Sequence, residues 1–254
     1  MRYFIEFSYN GKEYHGWQNQ PNAISVQQVL EAALTKLLRA QIAVMGAGRT
    51  DAGVHASQMF AHFEIDESFD VESIVFKLNC FLPKDIAIHS IHPVTDKAHA
   101  RFNAVSRTYQ YKIATKKNVF TSDFAYHVYF PLDIEKMNEA CKILFQYNDF
   151  QCFSKSNTDV KTYHCSIKEA IWKLENEELI FSITADRFLR NMVRAIVGTM
   201  LEIGLGKMEV KRLHDIILSK DRSEAGYSVP AQGLYLTKIV YPETIKLLTN
   251  GKKN

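Results

Sequence analysis

Cysteine is scarce. The chain has four, Cys80, Cys141, Cys152 and Cys165, and no two of them form a C-x-x-C pair. That excludes a zinc ribbon and a thioredoxin-like redox site. Four cysteines in 254 residues are also too few for a disulfide scaffold, and reduced thiols packed in the interior are the expected state. Long apolar runs are missing as well. No stretch approaches the ~18 residues of a membrane span, and the opening Met1-Arg2-Tyr3-Phe4-Ile5-Glu6-Phe7 is interrupted by charge where a signal peptide would be apolar. A cytoplasmic protein with no membrane partner is expected. Charge of one sign is scarce too: 31 basic residues against 28 acidic ones leave a net +3, which excludes a strongly basic nucleic-acid coat. No linker rich in Pro, Gly or Ser divides the chain, and no low-complexity tract occurs.

What is present alternates between strand and helix patterns. Tyr3, Ile5 and Phe7 alternate with more polar neighbours and lead to an Asn10-Gly11 turn. Ser25-Val26-Gln27-Gln28 fits a capping box, and the apolar spacing that follows predicts an amphipathic helix over 25–39. Strands are predicted at 42–45, 57–65 and 86–91, with a second helix at 70–81. The later part repeats this style. It has a strand at 107–115, a helix at 132–145, a hairpin of 165–174 and 179–184 around Glu175-Asn176-Glu177-Glu178, helices at 187–203 and 210–218, and a last strand at 233–241. Residues 250–254 are expected to fray. The pattern is α+β with mainly antiparallel sheet and helices packed on one face. The natural division is near 103–106, into lobes 1–103 and 104–254.

Division sharpens the charge. Residues 1–103 carry nine basic and eleven acidic side chains, and the remainder twenty-two and seventeen, so −2 faces +5. From Lys97 to Ser122 there are six basic residues and no acid. Arg101, Arg107, Lys112, Lys116 and Lys117 are among them, with Phe102, Tyr109, Tyr111 and Phe120 interleaved. Such a stretch suits RNA, where cations meet phosphates and rings meet bases. It also suits a solvated strand edge with core aromatics. Arg187, Arg190 and Arg194, three and four apart, should share one face of the predicted 187–203 helix. That face is either a solvated stripe or a source of one arginine for a buried anion.

The segment Gly46-Ala47-Gly48-Arg49-Thr50-Asp51-Ala52-Gly53-Val54-His55-Ala56 holds the chemistry. Its glycines imply positive φ or close backbone approach. It fails both the dinucleotide fingerprint and the phosphate-binding loop pattern. One carboxylate with no close acidic partner is wrong for a paired-carboxylate glycosidase, and Asp51 with His55 is too few ligands for a metal. A single presented Asp51 can serve as nucleophile or general base. His55 is expected to support the loop.

Residues 48–56 resemble the catalytic motif of the TruA family, the tRNA pseudouridine synthases A. The resemblance runs through most of the chain. It includes Tyr9-Asn10-Gly11, Tyr14-His15-Gly16-Trp17-Gln18, Ser25-Val26-Gln27, and Asn79 with Leu82-Pro83 and Asp85-Ile86-Ala87. It continues through His99-Ala100-Arg101-Phe102, Arg107-Thr108-Tyr109-Gln110-Tyr111, Asp149-Phe150 with Phe153, Asn191-Met192-Val193-Arg194 with Ile196-Val197-Gly198, and Gly233-Leu234-Tyr235-Leu236. It implies two lobes like RNA-recognition modules, with joined sheets and a central active-site cleft. It also implies isomerisation of uridine to pseudouridine at tRNA positions 38, 39 and 40, no cofactor, no metal, and a homodimer that binds the anticodon stem-loop. Asp51 aligns with the essential aspartate, which would attack C1′ or C6 or deprotonate C2′. Arg49 aligns with a residue linked to base flipping, Tyr109 with one that stacks on the target uracil, and Arg194 with the carboxylate's arginine partner. Arg101, Arg107, Lys112, Lys116, Lys117 and Arg190 are candidate RNA contacts. A non-catalytic RNA-binding module on the same scaffold is the alternative, and a hydrolase working through Asp51 alone is a third.

Overall fold

The computed structural model describes residues 1–156, 160–175 and 177–245. Among the described residues two compact units emerge: Met1–Val105 together with residues 236–245, and Ser106–Tyr235. The fold is α+β, with five α-helices among the described residues and mainly antiparallel strand pairing. Among the described residues no helix is long and apolar enough to cross a membrane.

In the first unit β1 (Arg2–Tyr9) lies between β4 (Ile86–Val94) and β3 (His55–Glu64), antiparallel to both. The short β2 (Met45–Gly46) pairs with β3, and β9 (Leu234–Val240) lies on the far side of β3. The strand predicted at 42–45 therefore forms only at its end. Ile42 and Val44 are buried without regular pairing, because the Val44 N–H is taken by the Glu31 carboxylate and the Ile42 N–H by the Thr35 hydroxyl. The helix α1 (Val26–Leu38) starts where Ser25 accepts the Gln28 N–H at 3.1 Å, the Ser25 half of the expected capping box. It buries Val26, Leu30, Ala33, Leu34 and Leu38, one stripe at helical spacing. The helix α2 (Val71–Phe81) is capped by Asp70 and packs on α1 and β4.

In the second unit β5 (Ser106–Ala114) pairs with β8 (Glu178–Ala185), and β8 with β7 (Ile167–Glu175), both antiparallel. A two-residue strand, β6 (Tyr126–His127), runs parallel to β5; it is too short to leave a periodic signal in the sequence. The helix α3 (Ile134–Leu144) packs on β7 and on α4 (Met192–Gly204), and α5 (Arg212–Ser219) completes the layer. Residue 176 of the predicted hairpin turn and the 250–254 tail lie outside the described residues.

The two units share one device. The side-chain amide of Asn79 on α2 bonds both the N–H and the C=O of Ile88 on β4, each at 2.8 Å. Asn138 on α3 does the same to Trp172 on β7, at 2.8 and 3.1 Å. In each unit a helix amide thus covers backbone groups of an outer strand that would otherwise invite pairing with another chain.

The predicted helix over 187–203 is shorter at its start. Residues 187–191 are not helical, and Asn191 sits at φ +68°. That left-handed step is one Asn tolerates, and it breaks the helical register before Met192. Arg187, Arg190 and Arg194 consequently do not share a helix face. Only Arg194 is on α4.

Three of the four cysteines are packed in the interior, and burial pushes the Cys141, Cys152 and Cys165 thiols up to about 12. Cys80 departs from the packing reading and is exposed near the end of α2.

Candidate active site

The Asp51 loop is fixed from below by the 9–18 segment, within the first unit. Tyr9 Oη and Thr50 Oγ1 are 2.8 Å apart in a hydrogen bond. The Thr50 carbonyl accepts from the Trp17 N–H at 3.2 Å, and the Gly53 N–H donates to the Tyr14 carbonyl at 3.2 Å. Asp51 to Val54 closes a β-turn, with the Val54 N–H on the Asp51 carbonyl and Gly53 at φ +77°. That positive φ is the glycine requirement the sequence suggested. Asp51 is half-buried and Arg49 exposed, so the turn holds a carboxylate at the surface on a backbone that has little freedom.

The packing is close enough to dictate two residues outside the loop. A Cβ on Gly11 would stand 2.0 Å from the Val54 carbonyl oxygen. One on Gly16, which also has φ +87°, would stand 2.3 Å from the Thr50 oxygen. His55, 2% exposed, accepts the Gly11 N–H on Nδ1 at 3.0 Å. It is a structural pin between the two segments. Tyr14, which shares this support, donates its hydroxyl to Asp85 at 2.7 Å. Burial first, and that hydrogen bond second, push its pKa well above the usual phenol value. These residues of the 9–18 segment had no role assigned from pattern. The signal available was Asn10-Gly11 and Gly16 next to an aromatic, which reads locally as turns.

The remaining predicted site residues, apart from Arg101, lie in the second unit. Tyr109 stands on β5 opposite Ile183 of β8, with its ring edge-on to Phe188 at 5.1 Å and 88°. Arg194 donates Nε–H to the Val229 carbonyl at 2.7 Å, and Val229 N–H returns a bond to the Arg194 carbonyl. That anchor fixes the plane of the guanidinium. The 225–230 segment it grips is held further by Tyr111, whose buried hydroxyl donates to the Pro230 carbonyl at 2.8 Å, and by the Thr199 hydroxyl, which accepts the Gly226 N–H at 2.9 Å. Tyr111 is shielded from solvent, and burial raises its pKa beyond the ordinary range despite the opposing charge of Arg194.

The basic candidates have different surroundings. Arg107 donates to the Asp186 carbonyl at 2.9 Å. Lys112 lies 4.6 Å from the centre of the Tyr235 ring, a cation–π distance. Lys116 pairs with Glu177 at 2.6 Å, both side chains more than 70% exposed. The acid missing from 97–122 is thus supplied by the turn between β7 and β8. Lys117 and Arg190 are exposed. Arg101, in the first unit, lies over the Phe102 ring.

Residues 6–103 and 140–242 match the model of a family described as tRNA pseudouridine synthase, and the chain belongs to that family. Its relatives include proteins named tRNA pseudouridine synthase A. The one from Parabacteroides distasonis is 53% identical, over 96% of this chain and 97% of its own length. Those of Bacteroides thetaiotaomicron and Porphyromonas gingivalis are 51% and 50% identical, over 96% and 97% of this chain and 92% and 99% of theirs.

Proposed function

We propose that this chain isomerises uridine to pseudouridine in the anticodon stem-loop of tRNA, at positions 38, 39 and 40, with Asp51 as the catalytic nucleophile or base. The observation that carries the reading is the Asp51 turn itself: a half-exposed carboxylate on a loop pinned by Tyr9, Gly11, Tyr14, Trp17 and His55. An aspartate held in one geometry removes much of the orientational cost of attack or proton abstraction.

The reaction is balanced within the substrate. The N1–C1′ bond breaks, the uracil turns, C5 bonds to C1′, C5 loses its proton and N1 gains one. No redox partner or hydrolytic water is consumed. Asp51 attacks C1′ or C6, or deprotonates C2′. Arg194 is the carboxylate's arginine partner in the reaction, and its Nε anchor on Val229 suits a residue that must hold one orientation. Tyr109 stacks on the target uracil, with Phe188 bracing its ring. Arg49, exposed on the same loop as Asp51, fills the space left by the flipped nucleotide. Extrusion costs a few kcal/mol, part of which such an insertion offsets. Arg101, Arg107, Lys112, Lys116, Lys117 and Arg190 grip the phosphates. The enzyme works in the cytoplasm as a homodimer.

The test is tritium release from a tRNA transcript carrying 5-tritiated uridine. Wild type should release tritium, and Asp51→Asn should release none while still binding the transcript. Release that survives in Asp51→Asn would sink the assignment. Binding without release by the wild type would favour the non-catalytic module.

A further inference from the structure

We propose that the 99–103 turn is a nucleobase platform, on which Phe102 takes an unpaired base of the RNA while Arg101 takes that nucleotide's phosphate. The proposal rests on the tRNA reading above and adds a foothold that the catalytic loop does not supply.

The turn is built to hold a ring outward. The His99 N–H donates to Asn103 Oδ1 at 2.6 Å, and the Asn103 N–H returns to the His99 carbonyl at 3.1 Å. His99 Nδ1 accepts both the Arg101 and the Phe102 N–H, at 3.1 and 3.3 Å. From outside the turn, His62 Nδ1 accepts the Ala100 N–H at 3.2 Å, and Tyr241 donates its hydroxyl to the Ala100 carbonyl at 2.7 Å. Arg2 does the same to the Ala98 carbonyl at 2.7 Å. With its backbone satisfied this completely, the turn has little freedom to fold its apolar side chain inward. Ala98 and Ala100 are buried, yet Phe102 is 75% exposed.

The exposed ring is also braced. His99 lies 4.3 Å from its centre at 35°, and His99 in turn stands edge-on to the buried His62 at 4.6 Å. A lone surface phenylalanine needs no explanation. One propped on two imidazoles, on a turn closed by its own side chains, has its ordering cost met before any partner arrives, which is the condition for tight stacking. The Arg101 guanidinium sits 5.6 Å from the ring centre, near the outer limit of a cation–π pair. That places a cation beside the ring, where the phosphate of a stacked nucleotide would lie. The charge along this part of the chain suits an RNA backbone: Lys97, Arg101 and Arg107 occur with no acid from 97 to 122.

The experiment uses the full chain and the same tRNA transcript. Dissociation constants would be measured by single-turnover titration for wild type, Phe102→Ala, Phe102→Leu and Phe102→Trp. Phe102→Ala and Phe102→Leu should weaken binding by a factor of about 5 to 150, the range carried by stacking one base on an aromatic ring. Phe102→Trp should bind at least as tightly as wild type, and its introduced indole should be quenched by saturating tRNA. Trp17 and Trp172 are buried, so the wild-type emission supplies the baseline. If Phe102→Ala fails to fold, the indole still decides. Emission unmoved by saturating tRNA overturns the proposal, as does a leucine variant that binds like wild type. Emission that changes with protein concentration in the absence of RNA puts a second copy of the chain on the ring and overturns it too. Tritium release by the wild type is scored separately. Its absence removes the isomerase reading, while quenching and dissociation constants still judge the platform.

Discussion

The buried imidazole of His55 accepts the backbone N–H of Gly11 at 3.0 Å, joining the turn after the first strand to the end of the aspartate loop. The same glycine has no room for a methyl group, since a Cβ would meet the Val54 oxygen at 2.0 Å. His55→Ala leaves a buried N–H unsatisfied and should cost about 1–3 kcal/mol. Gly11→Ala must displace backbone and should cost about 3 kcal/mol. Both are read from urea midpoints. Since the loop loses an anchor and keeps its carboxylate, tritium release should slow in His55→Ala and not vanish. A His55→Ala enzyme as inert as Asp51→Asn would give the imidazole a direct part in the chemistry.

A second imidazole sets a pH dependence. His62, on β3, is pushed down to about 4, by burial first, then by His99 and Arg2, with Glu64 opposing. An unfolded chain protonates histidine near 6.5. Between roughly pH 6.5 and pH 4 the unfolded state therefore gains a proton that the folded state refuses. The stability His62 contributes is whole at neutral pH and is lost as pH falls through that window, by up to about 3 kcal/mol. In His62→Gln the loss disappears. Urea midpoints of wild type and variant should differ most at pH 7 and converge toward pH 4.5. Parallel curves would show that His62 does not titrate in the folded chain as described.

Lys116 and Lys117 offer a test of the RNA grip by ionic strength. The Lys116–Glu177 pair is fully solvated, so it contributes little to stability and is readily exchanged for a phosphate. Replacing both lysines with alanine should weaken tRNA binding and make the plot of log K against log salt shallower by about 0.7–0.9 for each phosphate that a lysine neutralises. An unchanged slope would remove this loop from the RNA footprint.

Local pattern read the helices and strands well where one periodicity dominated. The apolar stripe of α1 and the alternation of β1 and β5 are what the folded chain buries. It misread 187–191 because Arg-Phe-Leu-Arg-Asn has helical spacing, whereas the segment is irregular and reaches the helix through the left-handed Asn191. The aspartate loop was legible from its glycines and its solitary carboxylate. Beyond His55 its support was not, because Gly11, Gly16 and Trp17 act across thirty or more residues of chain and carry no periodic signature. The doubly bonded Asn79 and Asn138 were hidden for the same reason: a buried amide looks like any polar residue until the strand beneath it is known.

The helix that carries Arg194 is buried along almost its whole length. Arg194 and Glu202 are the only members of α4 that are not buried. A segment enclosed this way does not open by itself. It exchanges and melts with the body around it, not as a loop does. Warming should therefore leave the arginine in register until the surrounding unit gives way as a whole, so that heat removes this guanidinium in one step and not by gradual loosening.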